Sequence, residues 1–125
     1  MKRLIIFAIL LLSGCASIKA YLPSGWDANQ SKIATDMQQT ARQLDCTAPD
    51  AALNKLTDEI QWFDLYAKSK GTADVAPVTI SLQAVVTEFQ DRRKKESVSP
   101  FYCELKKKIM IQDADIIART VQGRF

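Results

Sequence analysis

The sequence predicts an all-α fold, an antiparallel four-helix bundle. Three observations lead there. Between Trp26 and Gly123 the apolar residues recur at spacings of three, four or seven in four segments of about twenty residues. Each segment has its own start or stop signal, and only short links separate them. Of the 125 residues, the stretch from Cys15 to Phe125 has a length suited to one small domain and not two, and no internal repeat or low-complexity tract interrupts it.

The first segment spans about Trp26 to Asp45. Trp26, Ile33, Met37, Ala41 and Leu44 form its stripe, leaving Gln30, Lys32, Gln38 and Arg42 for the wet side. The second opens at Thr47-Ala48-Pro49-Asp50, read as a cap with proline in the first turn. Leu53, Leu56, Ile60, Phe63 and Ala67 supply its stripe. Gly71 ends it, behind Lys68 and Lys70, placed where a helix C-terminus favours cations.

The third segment, Pro77 to Lys95, reads two ways. Val78, Ile80, Leu82 and Ala84 alternate as in a strand, while Val78, Leu82, Val85, Val86 and Phe89 make a helical stripe. Its length and polar tail select the helix, with a mixed fold as the alternative. The fourth starts at Ser99-Pro100, a cap residue followed by proline at the first helical position. Leu105, Ile109, Met110, Ala114, Ile117 and Val121 carry its apolar face.

Ahead of the domain stands a leader. Lys2 and Arg3 precede nine apolar residues, Leu4 to Leu12. As a helix these reach roughly 14 Å, against about 30 Å of hydrocarbon, which suits a signal core and not a permanent span. Leu12-Ser13-Gly14-Cys15 then resembles the lipobox of bacterial lipoproteins: an aliphatic residue, two small residues and a cysteine.

The resemblance implies that residues 1–14 are a signal peptide, removed after the Cys15 sulfur accepts a diacylglycerol, and that Cys15 becomes an acylated amino terminus. Several acyl chains exceed the two-signal threshold for stable anchoring. Residues 15–25 would then be a tether, and 26–125 the helical domain. Ala16 stands where lipoproteins kept at the inner membrane often carry Asp, so the resemblance implies the periplasmic face of the outer membrane, with the inner membrane as the alternative. An uncleaved leader with an ordinary cysteine is the competing reading.

Export permits oxidation, so Cys46 and Cys103 are expected to pair in a disulfide. Two buried free thiols are the alternative. The bundle brings both cysteines to one end, since Cys46 follows the first helix and Cys103 lies in the first turn of the fourth. Composition removes several chemistries. Histidine is absent, which takes away the commonest general base and metal ligand. No cofactor or metal is expected, and a net charge of +3, falling to about +1 without Lys2 and Arg3, gives no field for nucleic acid.

The candidate functional residues fall into three groups. Asp58, Glu59, Asp64, Glu88 and Asp91 are the carboxylates that a glycan-cleaving enzyme would draw on, but solvated helix faces account for them, and no catalytic residue is expected. The basic runs, Arg92, Arg93, Lys94 and Lys95 with Lys106, Lys107 and Lys108, fall at one end of the bundle. They read as solvated cations or as a docking surface for an anionic partner. Trp62, Leu65 and Tyr66 lie on the flank of the second helix, either a widened core stripe, which is the favoured reading, or a patch for a partner.

Tyr21, Trp26, Arg119, Arg124 and Phe125 gather toward the anchored end, where they are expected to make weak lipid contacts. The expected function is a lipid-anchored, non-enzymatic protein-interaction module. Accessory subunits of envelope machines and exclusion or immunity lipoproteins of phages and plasmids fit that description. A spanin-like lysis lipoprotein or a peptidoglycan-modifying enzyme is the alternative.

Overall fold

The computed structural model describes residues 25–124. Four α-helices account for most of them: α1 (Ala28–Gln43), α2 (Asp50–Ser69), α3 (Ile80–Lys95) and α4 (Pro100–Gln122), with a 3-10 helix, Ala73–Thr79, between α2 and α3. Cys15, Tyr21, Phe125 and the leader lie outside the described residues. The helices close in a ring. α1 packs on α2 and α4, and α3 packs on the same two, while neither diagonal pair makes a backbone approach among the described residues.

Cross-helix bonds pair rising with falling numbers at each seam. Asn29 and Thr40 bond to Tyr66 and Glu59, Arg93 and Thr79 to Asp50 and Asp64. Ser81 and Glu88 bond to Asp113 and Lys106, and Thr35 and Arg42 to Gln122 and Asp115. This order is compatible with antiparallel neighbours. No strand occurs among the described residues, so the alternation over residues 78–84 does not produce one.

Leu53, Leu56, Ile60, Phe63 and Ala67 of α2 are all fully buried, as their spacing predicts. Across from them sit Met37 and Ala41 of α1, Leu82, Val86 and Phe89 of α3, and Met110, Ala114, Ile117 and Val121 of α4. Phe89 meets Tyr102 edge-on, with centroids 5.6 Å apart. Cys46 and Cys103 are joined in a disulfide, with Cα atoms 5.8 Å apart, tying the end of α1 to the start of α4.

Several positions differ from the sequence pattern. Trp26 is 54 % exposed, and Gln30, assigned to the wet side, is fully buried. Gln30 lies seven residues before Met37 and so occupies the stripe position that the hydrophobic pattern gave to Trp26. Its Nε2 donates to the Thr72 hydroxyl at 2.6 Å, while Oε1 is buried without a hydrogen-bond partner, so the burial is only half compensated. Leu105 is 47 % exposed, because it lies two residues beyond Cys103, about 200° round the helix from the buried face.

Helix ends follow the sequence in part. Ser99 Oγ accepts from the Tyr102 amide with Pro100 in the first turn, and Gly71 adopts φ +69°, the left-handed conformation that only glycine takes without strain. Thr47 does not cap α2. Asp45 instead accepts from both its amide and its hydroxyl at 2.8 Å, and Pro49 is the residue before the helix. The third helix begins at Ile80 and not at Pro77, since the segment around Pro77 takes the tighter 3-10 winding.

Candidate interaction face

The α2 stripe uses every three-four step available to it, so its neighbours on the helix must point elsewhere. Trp62 lies about 100° from Phe63 and is 48 % exposed; Leu65, on the same outer side, is 68 % exposed. Trp62 and Tyr66, one turn apart, stack with centroids 5.0 Å apart and planes within 9°. The flank therefore belongs to the surface, which corrects the core-stripe expectation for Trp62 and Leu65. Tyr66 is half-buried.

Tyr66 is held from both sides. Its hydroxyl donates to Asp27 Oδ2 at 3.2 Å and accepts from Asn29 Nδ2 at 2.9 Å. Lys70 places its ammonium 5.6 Å from the ring centroid. Asp27 also caps α1, accepting from the amides of Asn29 and Gln30 at 2.9 Å each. These bonds, led by the Gln30 amide, hold its carboxyl below the usual range.

Beside the stack, α1 and α2 leave a groove of about 440 Å³, walled by Asn29, Ile33 and Asp36 on one side and Asp58, Glu59 and Trp62 on the other. That is within the size range of small-ligand sites. Lys32 pairs with Asp36 at 2.7 Å and Lys55 approaches Glu59 at 3.8 Å. The Glu59 side chain is only 12 % exposed. Its Oε1 accepts from the Thr40 hydroxyl at 2.9 Å, while Oε2 is buried without a hydrogen-bond partner. Burial pushes its carboxyl above the usual range, against the Thr40 bond and the Lys55 charge.

The two basic runs do meet, at the ring of Tyr102. The Arg92 guanidinium lies 4.3 Å and the Lys106 ammonium 5.5 Å from its centroid. Their charge is largely met by carboxylates, however. Arg92 pairs with Glu96, Arg93 with both oxygens of Asp50, Lys94 with Asp91, and Lys106 with Glu88. The Lys106 bond, foremost, holds Glu88 below the usual carboxylate range. Lys95, Lys107 and Lys108 make no ion pair among the described residues. Arg124 pairs with Asp74 at 2.6 Å, and Arg119 donates to the Asp115 carbonyl.

The five carboxylates considered for catalysis do not converge. Asp64 accepts from the Thr79 hydroxyl, Glu88 and Asp91 bond to lysines, and Asp58 is exposed beside Glu59. Sequence reasoning found Trp62 and Tyr66 but missed the α1 wall of the groove. The Asx capping signal at Asp27 and the polar Asn29 were the available clue. It also missed Phe101 and Ile116, 79 % and 52 % exposed, which share with Leu105 the outer side of α4.

Among the described residues no helix is long and apolar enough to cross a membrane, and no cluster of three or more acidic or cysteine residues could hold a metal. In comparisons with known proteins the chain matches no family model, no curated protein and no solved structure.

Proposed function

We propose that this chain is a lipid-anchored bacterial envelope lipoprotein that works by binding another envelope protein through the Trp62–Leu65–Tyr66 flank. The lipobox-like Leu12-Ser13-Gly14-Cys15 supports the anchor, and Ala16 supports outer-membrane placement on its periplasmic face. The observation that carries the binding role is the exposure of Trp62 and Leu65 on a helix whose core stripe is already complete. Burying such side chains against a partner is worth about 1.5–3 kcal/mol each. Trp and Tyr are the residues in which interface energy concentrates. The stack, with Tyr66 fixed by Asp27 and Asn29, reduces the ordering cost of docking.

The test is photocrosslinking in cells making the full chain. A photoreactive residue at Leu65 should give a discrete adduct that Trp62→Ala removes, while the same residue at Gln83 on α3 should give none. An absent adduct, or equal adducts from both positions, refutes the reading. Loss of labelled-palmitate incorporation in Cys15→Ser checks the anchor separately.

A further inference from the structure

We infer that the α1–α2 groove receives an arginine side chain of the partner polypeptide, its guanidinium laid on the Trp62 indole and bonded to the carboxylate of Asp58. The inference rests on the interaction reading above and names the chemistry of its central contact.

Charge complementarity chooses the occupant. Three carboxylates, Asp36, Asp58 and Glu59, stand at the groove. Lys32 and Lys55 answer two of them. Asp58 is exposed and makes no ion pair or hydrogen bond among the described residues, so the groove keeps a carboxylate for an incoming cation. Glu59 Oε2 is buried, so Asp58 is the accessible acceptor for the guanidinium N–H groups.

The aromatic wall selects the same ligand. Tyr66 covers one face of Trp62, and Lys70 already occupies the Tyr66 end of this stack. At the Trp62 end no cation lies over the ring among the described residues, although Trp attracts cations more strongly than Tyr. A planar guanidinium can stack on an indole while its edge bonds a carboxylate, which an ammonium cannot do. Ile33 on the α1 wall is apolar and suits the methylene stem of an arginine.

The experiment is a fluorescence titration of the full lipidated chain in mild detergent, on a Trp26→Phe background that leaves Trp62 as the reporter. N-acetyl-arginine amide should change the emission saturably, with a midpoint in roughly the millimolar range expected of a single side chain, weakening as salt is raised. N-acetyl-citrulline amide, equal in shape but uncharged, should not saturate. Asp58→Asn, whose parent side chain holds nothing in the fold, should keep the circular dichroism spectrum and weaken the midpoint about threefold to tenfold.

Equal responses to arginine and citrulline, an unchanged midpoint in Asp58→Asn, or no saturation overturns the assignment. A flat titration alongside persistent Leu65 crosslinks would sink the groove ligand and leave the interaction reading standing. Saturable arginine binding without crosslinks would refute the interaction reading and, with it, the partner polypeptide as the source of the arginine, leaving only a groove that takes a guanidinium.

Discussion

Reducing the Cys46–Cys103 bond should lower the melting temperature by roughly 20 °C. The two residues are 57 apart in sequence, and closing a loop of that length removes unfolded-state entropy worth about 4 kcal/mol. A domain near 100 residues unfolds with an entropy of about 0.2 kcal/mol per kelvin, which converts that loss into the stated shift. The bond also ties the end of α1 to the start of α4, where Cys103 is only 2 % exposed. The assay is thermal denaturation by far-UV circular dichroism, with and without reductant. A Cys46→Ala/Cys103→Ala variant should melt with the reduced protein and ignore the reductant. A shift below about 5 °C in wild type would refute the loop-entropy argument.

Phe63→Ala should cost about 3–5 kcal/mol, because the ring is fully buried where the helices converge; the urea midpoint measures it, and a loss under about 1 kcal/mol would contradict the core assignment. Asp27→Ala should cost about 1 kcal/mol through the lost α1 cap, read as a melting temperature lower by about 5 °C. Glu59→Gln tests linkage. Burial raises the Glu59 carboxyl, so the stability present below its usual value of 4.5 is lost as pH climbs through the raised one. The variant should therefore melt above wild type at neutral pH, with the gap closing in acid. The carboxylates held low, Asp50 and Asp115 among them, lose stability in the opposite direction as pH falls. Only the difference between variant and wild type isolates Glu59, and a gap that widens in acid would reverse the assignment.

The fold was legible wherever apolar spacing and burial coincide. In α2 all five stripe residues are core residues, because a helix with a fully apolar stripe leaves no choice of face. In α1 the same logic misplaced Gln30 and Trp26. The buried Gln30 finds the acceptor for its Nε2 in Thr72, forty-two positions away, and a partner that distant leaves no local trace. The 3-10 turn around Pro77 was hidden because Val78 to Ala84 satisfies more than one period. The disulfide was legible from topology, since both cysteines fall beside helix ends that the bundle brings together. The groove was half legible. The offset of Trp62 from Phe63 follows from helix geometry alone, whereas Asn29 and Asp36 enter through the register of α1 on α2.

That register has a specific cause, and it joins stability to recognition. Asp27 is both the cap of α1 and an acceptor for the Tyr66 hydroxyl, and Asn29, two residues on in the first turn, donates to that hydroxyl oxygen. Tyr66 in turn supports the Trp62 ring. The bonds that start α1 therefore also hold the exposed indole in one orientation. Loss of the Asp27 carboxylate should free Trp62 as well as fray the helix. A Tyr66→Phe chain keeps the stack and the α1 cap but loses both hydroxyl bonds, so it should separate the two roles. It is expected to leave the melting temperature within a few degrees of wild type and to lower the Leu65 crosslinking yield, because the ring pair has lost its tether and not its contact.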